Sequence, residues 1–207
     1  HGFNSSLLES VNYPFEINEG LGLDVDNKYV ISIPFNDIDA SLKLLNQVKE
    51  DLACIIVEPI LAGAGCIIPN NEYLQGIQEF SKKYNIIFIL DEIVTGFRLS
   101  IQGAYKLYKL DPDLFTLGKI AGGGLPIGIV CGTNEILSLC NPIDKNNKNS
   151  ICSIGGGTFS SNPVTMTAGL KTLQFLKNNQ NQIYSKIDNL GEYAKPPTSL
   201  DERHWCG

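Results

Sequence analysis

The chain predicts an α/β fold, a mixed and mostly parallel sheet with helices on its faces. Two unbroken apolar runs, residues 53–57 and 86–90, have the length and hydrophobicity of strands buried on both faces. Between and around them lie segments whose apolar residues recur at helical spacing. Strands separated by helix-length segments need crossover connections, and crossovers join parallel strands.

The elements follow in order. Residues 37–49 carry Ile38, Leu42 and Leu45 at helical spacing. Residues 53–57, Ala-Cys-Ile-Ile-Val, read as the first buried strand, closed by Glu58-Pro59. Leu74, Ile77, Phe80 and Tyr84 define a helix over 71–84, with Asn70 or Asn71 as its cap. Residues 86–90 form the second buried strand. A short helix over 102–110 ends at the turn Asp111-Pro112-Asp113. Residues 114–117 and 127–131 read as two further strands. A polar loop covers 141–150. Pro163, capped by Asn162, then opens a helix whose apolar face holds Met166, Leu170 and Leu173. Ile183, Ile187 and Leu190 mark a last helix over 182–190. No internal repeat is present.

Composition narrows the function. The 207 residues carry a net charge of −6, so binding to nucleic acid would gain nothing from counterion release. No apolar run approaches the roughly 18 residues that span a bilayer. A partner that is nucleic acid or membrane is therefore not expected. The cysteines at 54, 66, 131, 140, 152 and 206 form no C-x-x-C pair and show no zinc-site spacing, so no metal is expected. Cys54 and Cys131 read as small core residues. A reducing, cytoplasm-like compartment suits these free thiols. The chain starts at His1-Gly2, and its last stretch, 193–207, has no clear element. Both ends are expected to be truncation points.

The chemistry gathers at two places. Asp91 and Glu92 directly follow the second buried run, and open α/β sheets bind ligands outside the carboxyl ends of their strands. Helix capping is the competing use for either carboxylate. Lys119 follows a later strand and stands in Gly118-Lys119-Ile120-Ala121-Gly122-Gly123-Gly124, where glycines let backbone approach a ligand. The lysine is not part of a P-loop, since Ile120 follows it and the upstream glycine is missing. An acid ending one strand and a lysine after another meet the needs of pyridoxal phosphate. That cofactor takes a lysine amine at its aldehyde and an acidic partner at its ring nitrogen.

Asp91-Glu92-Ile93-Val94-Thr95-Gly96-Phe97-Arg98, followed by 114–128 with Leu-Gly-Lys-x-x-Gly-Gly-Gly-x-Pro-x-Gly, resembles the signature of the class III aminotransferases. Within them the resemblance is greatest to the glutamate-1-semialdehyde 2,1-aminomutase group, and it runs from His1 to about residue 176. The resemblance implies the large domain of a fold type I pyridoxal-phosphate enzyme over 1–178, incomplete at its N-terminus. Residues 179–207 would then be a linker and the start of a small C-terminal domain. It implies Lys119 as the covalent cofactor residue and proton carrier, and Asp91 as partner of the pyridine nitrogen. Ile93 would pack on the ring. Gly157-Thr158 would reach the cofactor phosphate of a neighbouring subunit in a homodimer with shared sites, and Glu58 would shape the site. Arg98 would be structural. The substrate would be a small amino or keto compound, and the compartment the cytoplasm, or the plastid stroma in a photosynthetic eukaryote. The aminomutase group carries an Asn after its Glu-Pro where this chain has Gly63. Three functions stay open: the aminomutase, a class III transaminase with another substrate, or a non-catalytic remnant.

Overall fold

A computed structural model describes residues 29–70, 72–140 and 157–194. The expected Asn71 cap, the loop over 141–150, Cys152, Gly155, Gly156, Cys206 and both chain ends lie outside these residues.

Four strands make one sheet in the order β1 (Cys54–Val57), β2 (Ile87–Asp91), β3 (Leu114–Gly118), β4 (Gly128–Gly132). The first three are parallel and β4 runs antiparallel to β3. The mixed, mostly parallel sheet is therefore as expected. Helix α1 (Ile38–Val48) and helix α2 (Tyr73–Tyr84) pack together beside it. Asp37 caps α1 by accepting from the Ala40 N–H at 2.9 Å. The core lies between these helices and the sheet. Leu74, Ile77, Phe88 and Leu90 are all but inaccessible there, with Leu45, Ile55 and Val57 beside them. Fully burying one such side chain is worth about 1.5–3 kcal/mol, so this cluster anchors the strands that carry the site.

Several boundaries differ from expectation for physical reasons. Helix α2 begins after Glu72, whose side chain makes no capping bond, rather than at Asn70. It stops where Asn85 takes the left-handed conformation at φ 58°. Helix α3 is only Ala104–Leu107, because Gly103 at φ 81° delays its start and Lys109 at φ 54° follows its end. Cys54 is exposed at the start of β1, where Ile55 and Val57 take the buried positions; Cys131 is half-buried. A one-and-a-half-turn helix α4 (Asn134–Ser138) follows β4 and has no periodic apolar signature.

Helix α5 (Pro163–Asn178) begins as expected, with Asn162 accepting from the Thr165 N–H at 3.0 Å. Its packed side matches the predicted one only in part. Thr165 and Gly169 are buried and Leu173 is half-buried, while Met166 and Leu170 are 51% and 57% exposed. The neighbour of α5 is the short turn after β3, and it comes too close for large side chains. Helix α6 (Gln180–Ala194) follows at once. Its Tyr184 hydroxyl donates to the Phe97 carbonyl at 2.8 Å, tying it to the loop after β2.

Candidate active site

Parallel register brings the candidate residues to one edge. Val57 pairs with Leu90, and Asp91 pairs with Thr116. Glu58 is the first residue beyond β1, Asp91 the last of β2, and Lys119 the first beyond β3. All three emerge at the carboxyl ends of adjacent parallel strands, where α/β sheets bind ligands.

Asp91 is 7% exposed. Its Oδ1 accepts from the Thr116 hydroxyl at 3.0 Å and from the Ile93 N–H at 3.1 Å. Hydrogen bonds to an ionised carboxylate are stronger than neutral ones and hold it in one orientation. Lys119 is exposed at the same edge and opens a 3-10 turn, Lys119–Gly122. Its φ of 46° lies in the left-handed region, uncommon for a side-chain-bearing residue. Glu58 is half-buried, and its Oε2 accepts from the Ala62 N–H at 3.3 Å. Burial pushes the Glu58 carboxyl above the usual range; the Asp91 charge adds to that, while the Ala62 N–H and the Lys119 cation oppose it. Glu58 thus senses both of the other groups.

The two adjacent carboxylates divide their work. Successive strand residues point to opposite faces. Glu92 is 1% exposed and turns away to cap α3, accepting from Ala104 N–H at 2.7 Å, Tyr105 N–H at 2.9 Å and the Thr95 hydroxyl at 3.1 Å. The capping use therefore holds for Glu92, and Asp91 alone faces the site. Arg98 is exposed and donates through Nε to the Val94 carbonyl at 2.9 Å, closing its own turn.

Ile93 is half-buried against Gly118, where an added Cβ would stand 3.3 Å from Ile93 Cγ2. It therefore sits beside the residue that precedes Lys119. Gly157 and Thr158 lie elsewhere. Both are exposed, and they line a cleft of about 470 Å³ with Pro126, Ile127, Gly128 and Asn162. Among the described residues, no hydrogen bond joins Thr158 to Glu58, Asp91 or Lys119.

Two residues with a bearing on the site escaped sequence reasoning. Thr116 was legible only as a polar residue inside an apolar strand. Gly169 looked like any helix-interior glycine, yet an added Cβ there would collide with the Ala121 carbonyl of the turn that begins with Lys119.

Three parallel strands of the mixed sheet thus deliver a buried acid and an exposed lysine to one edge. The chain belongs to the class III aminotransferase family, whose model matches residues 9–201. It is 42% identical over 159 residues to a glutamate-1-semialdehyde 2,1-aminomutase from Thermosipho africanus, covering 77% of this chain and 36% of that protein. An omega-transaminase from Sphaerobacter thermophilus superposes with a TM-score of 0.73 at 30% identity, over 85% of this chain and 41% of that one. A transaminase solved with PLP bound gives a TM-score of 0.73 at 28% identity, with the same coverage of 85% and 41%. The chain spans well under half the length of these relatives.

Proposed function

We propose that this chain is the cofactor-binding part of a pyridoxal-phosphate enzyme that transfers an amino group, acting as a glutamate-1-semialdehyde 2,1-aminomutase. The observation that carries this reading is the placement of Asp91 and Lys119 at the carboxyl ends of neighbouring parallel strands, with Glu58 level with them. The donor set fits the cofactor. A buried carboxylate suits a basic ring nitrogen, and an accessible amine suits an aldehyde.

When bound, pyridoxal phosphate would supply an electron sink for the carbanion formed at the substrate carbon. Lys119 would hold the cofactor through Nζ, and its released amine would carry the proton between adjacent substrate carbons. Asp91 would keep a proton on the ring nitrogen. Ile93 would press on the ring, and Glu58 would shape the pocket floor beside both charges. Gly157 and Thr158, exposed in their own subunit, would take the cofactor phosphate of a second copy in a homodimer. The large domain would end near residue 178, with a small domain following. We also place the enzyme in the cytoplasm.

Borohydride reduction of the cofactor-loaded full gene product, followed by peptide mapping, tests this reading. The pyridoxyl label should fall on Lys119; a label on any other lysine would sink the assignment.

A second reading, a class III transaminase for another small amino or keto substrate, has Gly63 in its favour. A glycine after the Glu58-Pro59 pair cannot offer the side-chain hydrogen bond that the Asn of the aminomutase group would. Comparing amino transfer to a free keto acid with isomerisation of the semialdehyde separates the two.

A further inference from the structure

The contact between Thr116 and Asp91 joins the two halves of the site. Thr116 is the Cα partner of Asp91 across β2 and β3, and it lies three residues before Lys119, which directly follows the end of β3. Its carbonyl accepts from the Glu92 N–H at 3.0 Å, so the backbone at Thr116 is tied to the end of β2. Its hydroxyl donates to Asp91 Oδ1 at 3.0 Å, and the Ile93 N–H donates to the same oxygen at 3.1 Å. The main chain would hold the Ile93 donor in place whatever the side chains. The Thr116 donor depends on a single hydroxyl.

We propose that Thr116 is a positioning residue for cofactor binding: its hydroxyl fixes the orientation of the Asp91 carboxylate that meets the ring nitrogen. This rests on the pyridoxal-phosphate reading above. A β-branched Thr has restricted χ1 in a strand, so its hydroxyl is held toward β2 rather than sampled. A hydrogen bond to a charged acceptor that orients a ligand-binding group is worth about one to two orders of magnitude in affinity.

Titration of pyridoxal phosphate into the apo full gene product, read by quenching of protein fluorescence, gives the test. Thr116→Val keeps shape and removes the donor, and it should raise Kd about ten- to a hundredfold with an unchanged circular-dichroism spectrum. Thr116→Ser restores the hydroxyl and should recover most of the affinity. In an Asp91→Asn background the valine substitution should change Kd by roughly a fewfold at most, because a neutral acceptor gains less from the hydroxyl. Should Thr116→Val fail to fold, Thr116→Ala replaces it in the same comparison. Wild-type affinity in Thr116→Val overturns the inference. So does a loss of equal size with and without the Asp91 charge, which would mark a role independent of Asp91. A wild-type protein that binds no pyridoxal phosphate overturns the functional reading itself, and this inference with it.

Discussion

Gly169 of helix α5 stands directly against the carbonyl of Ala121, in the turn that Lys119 opens. Gly123, at φ 62°, meets the same helix, where an added Cβ would lie 2.6 Å from the Ala168 carbonyl oxygen and from Thr172 Oγ1. Helix and turn are thus in backbone contact, and α5 sets where the Lys119 turn sits. Gly169→Ala tests this. Helix propensity alone would favour alanine by about 1 kcal/mol. Overpacking against a carbonyl costs about 1–3 kcal/mol and should win. The variant should melt at lower temperature and bind pyridoxal phosphate more weakly. A more stable variant with normal binding would show that the contact does not position the turn.

The neighbouring acids should respond oppositely to loss of charge. Glu92→Gln replaces two accepting oxygens with one oxygen and an NH2 group, which must then face a buried N–H of Ala104 or Tyr105. Leaving a buried donor unsatisfied costs about 1–3 kcal/mol, so the denaturation midpoint should fall. Asp91→Asn should keep the midpoint and strongly depress turnover, because the ring nitrogen loses its anionic partner. Chemical denaturation beside steady-state kinetics separates the two. Equal stability losses in both would remove the division of labour drawn here.

The raised Glu58 carboxyl gives a pH signature. Burial is the main cause, with the Asp91 charge adding to it. A carboxyl whose folded pKa exceeds its unfolded value takes up protons more readily when folded. Folding is therefore favoured below the usual Glu range, and that advantage is lost as pH rises through the folded value. Glu58→Gln removes the ionisation penalty. It should stabilise the protein at neutral pH relative to wild type, and the gain should disappear in acid below the ordinary Glu range. Thermal melts across pH check this; a pH-independent difference would contradict it.

Shared sites give a complementation result. Thr158→Val and Lys119→Ala subunits should each be poorly active as homodimers. If Thr158 serves the partner's cofactor, a mixed dimer contains one site with both lesions and one with neither, and activity returns. If Thr158 serves its own subunit, each site of the mixed dimer keeps one lesion. Activity no higher than that of the parent variants would then refute sharing.

The buried strands were legible in the sequence because unbroken apolar runs of strand length have few other uses. The positions of Asp91 and Lys119 followed, since each ends or succeeds such a run. The start of α5 was legible too, because Asn162 and Pro163 are local signals that act within one turn. Other features are set by neighbours distant in the chain. Which of two adjacent carboxylates enters the site depends on strand alternation and on where α3 offers its N–H groups. Hydrophobicity points to Leu173 on the packed side of α5 but misses Gly169, because at that point the neighbour is a backbone turn whose Ala121 carbonyl leaves no room for a side chain. The apolar run around Cys54 suggests an interior position, yet Ile55 and Val57 fill the buried positions of β1 and leave Cys54 exposed at its start. The run of residues alone determined that there would be strands with an acid and a lysine beyond their ends. Only the tertiary structure, through the β2–β3 register that sets Thr116 opposite Asp91, decided what holds that acid in place, because a pairing between residues 25 apart leaves no periodic trace in either strand.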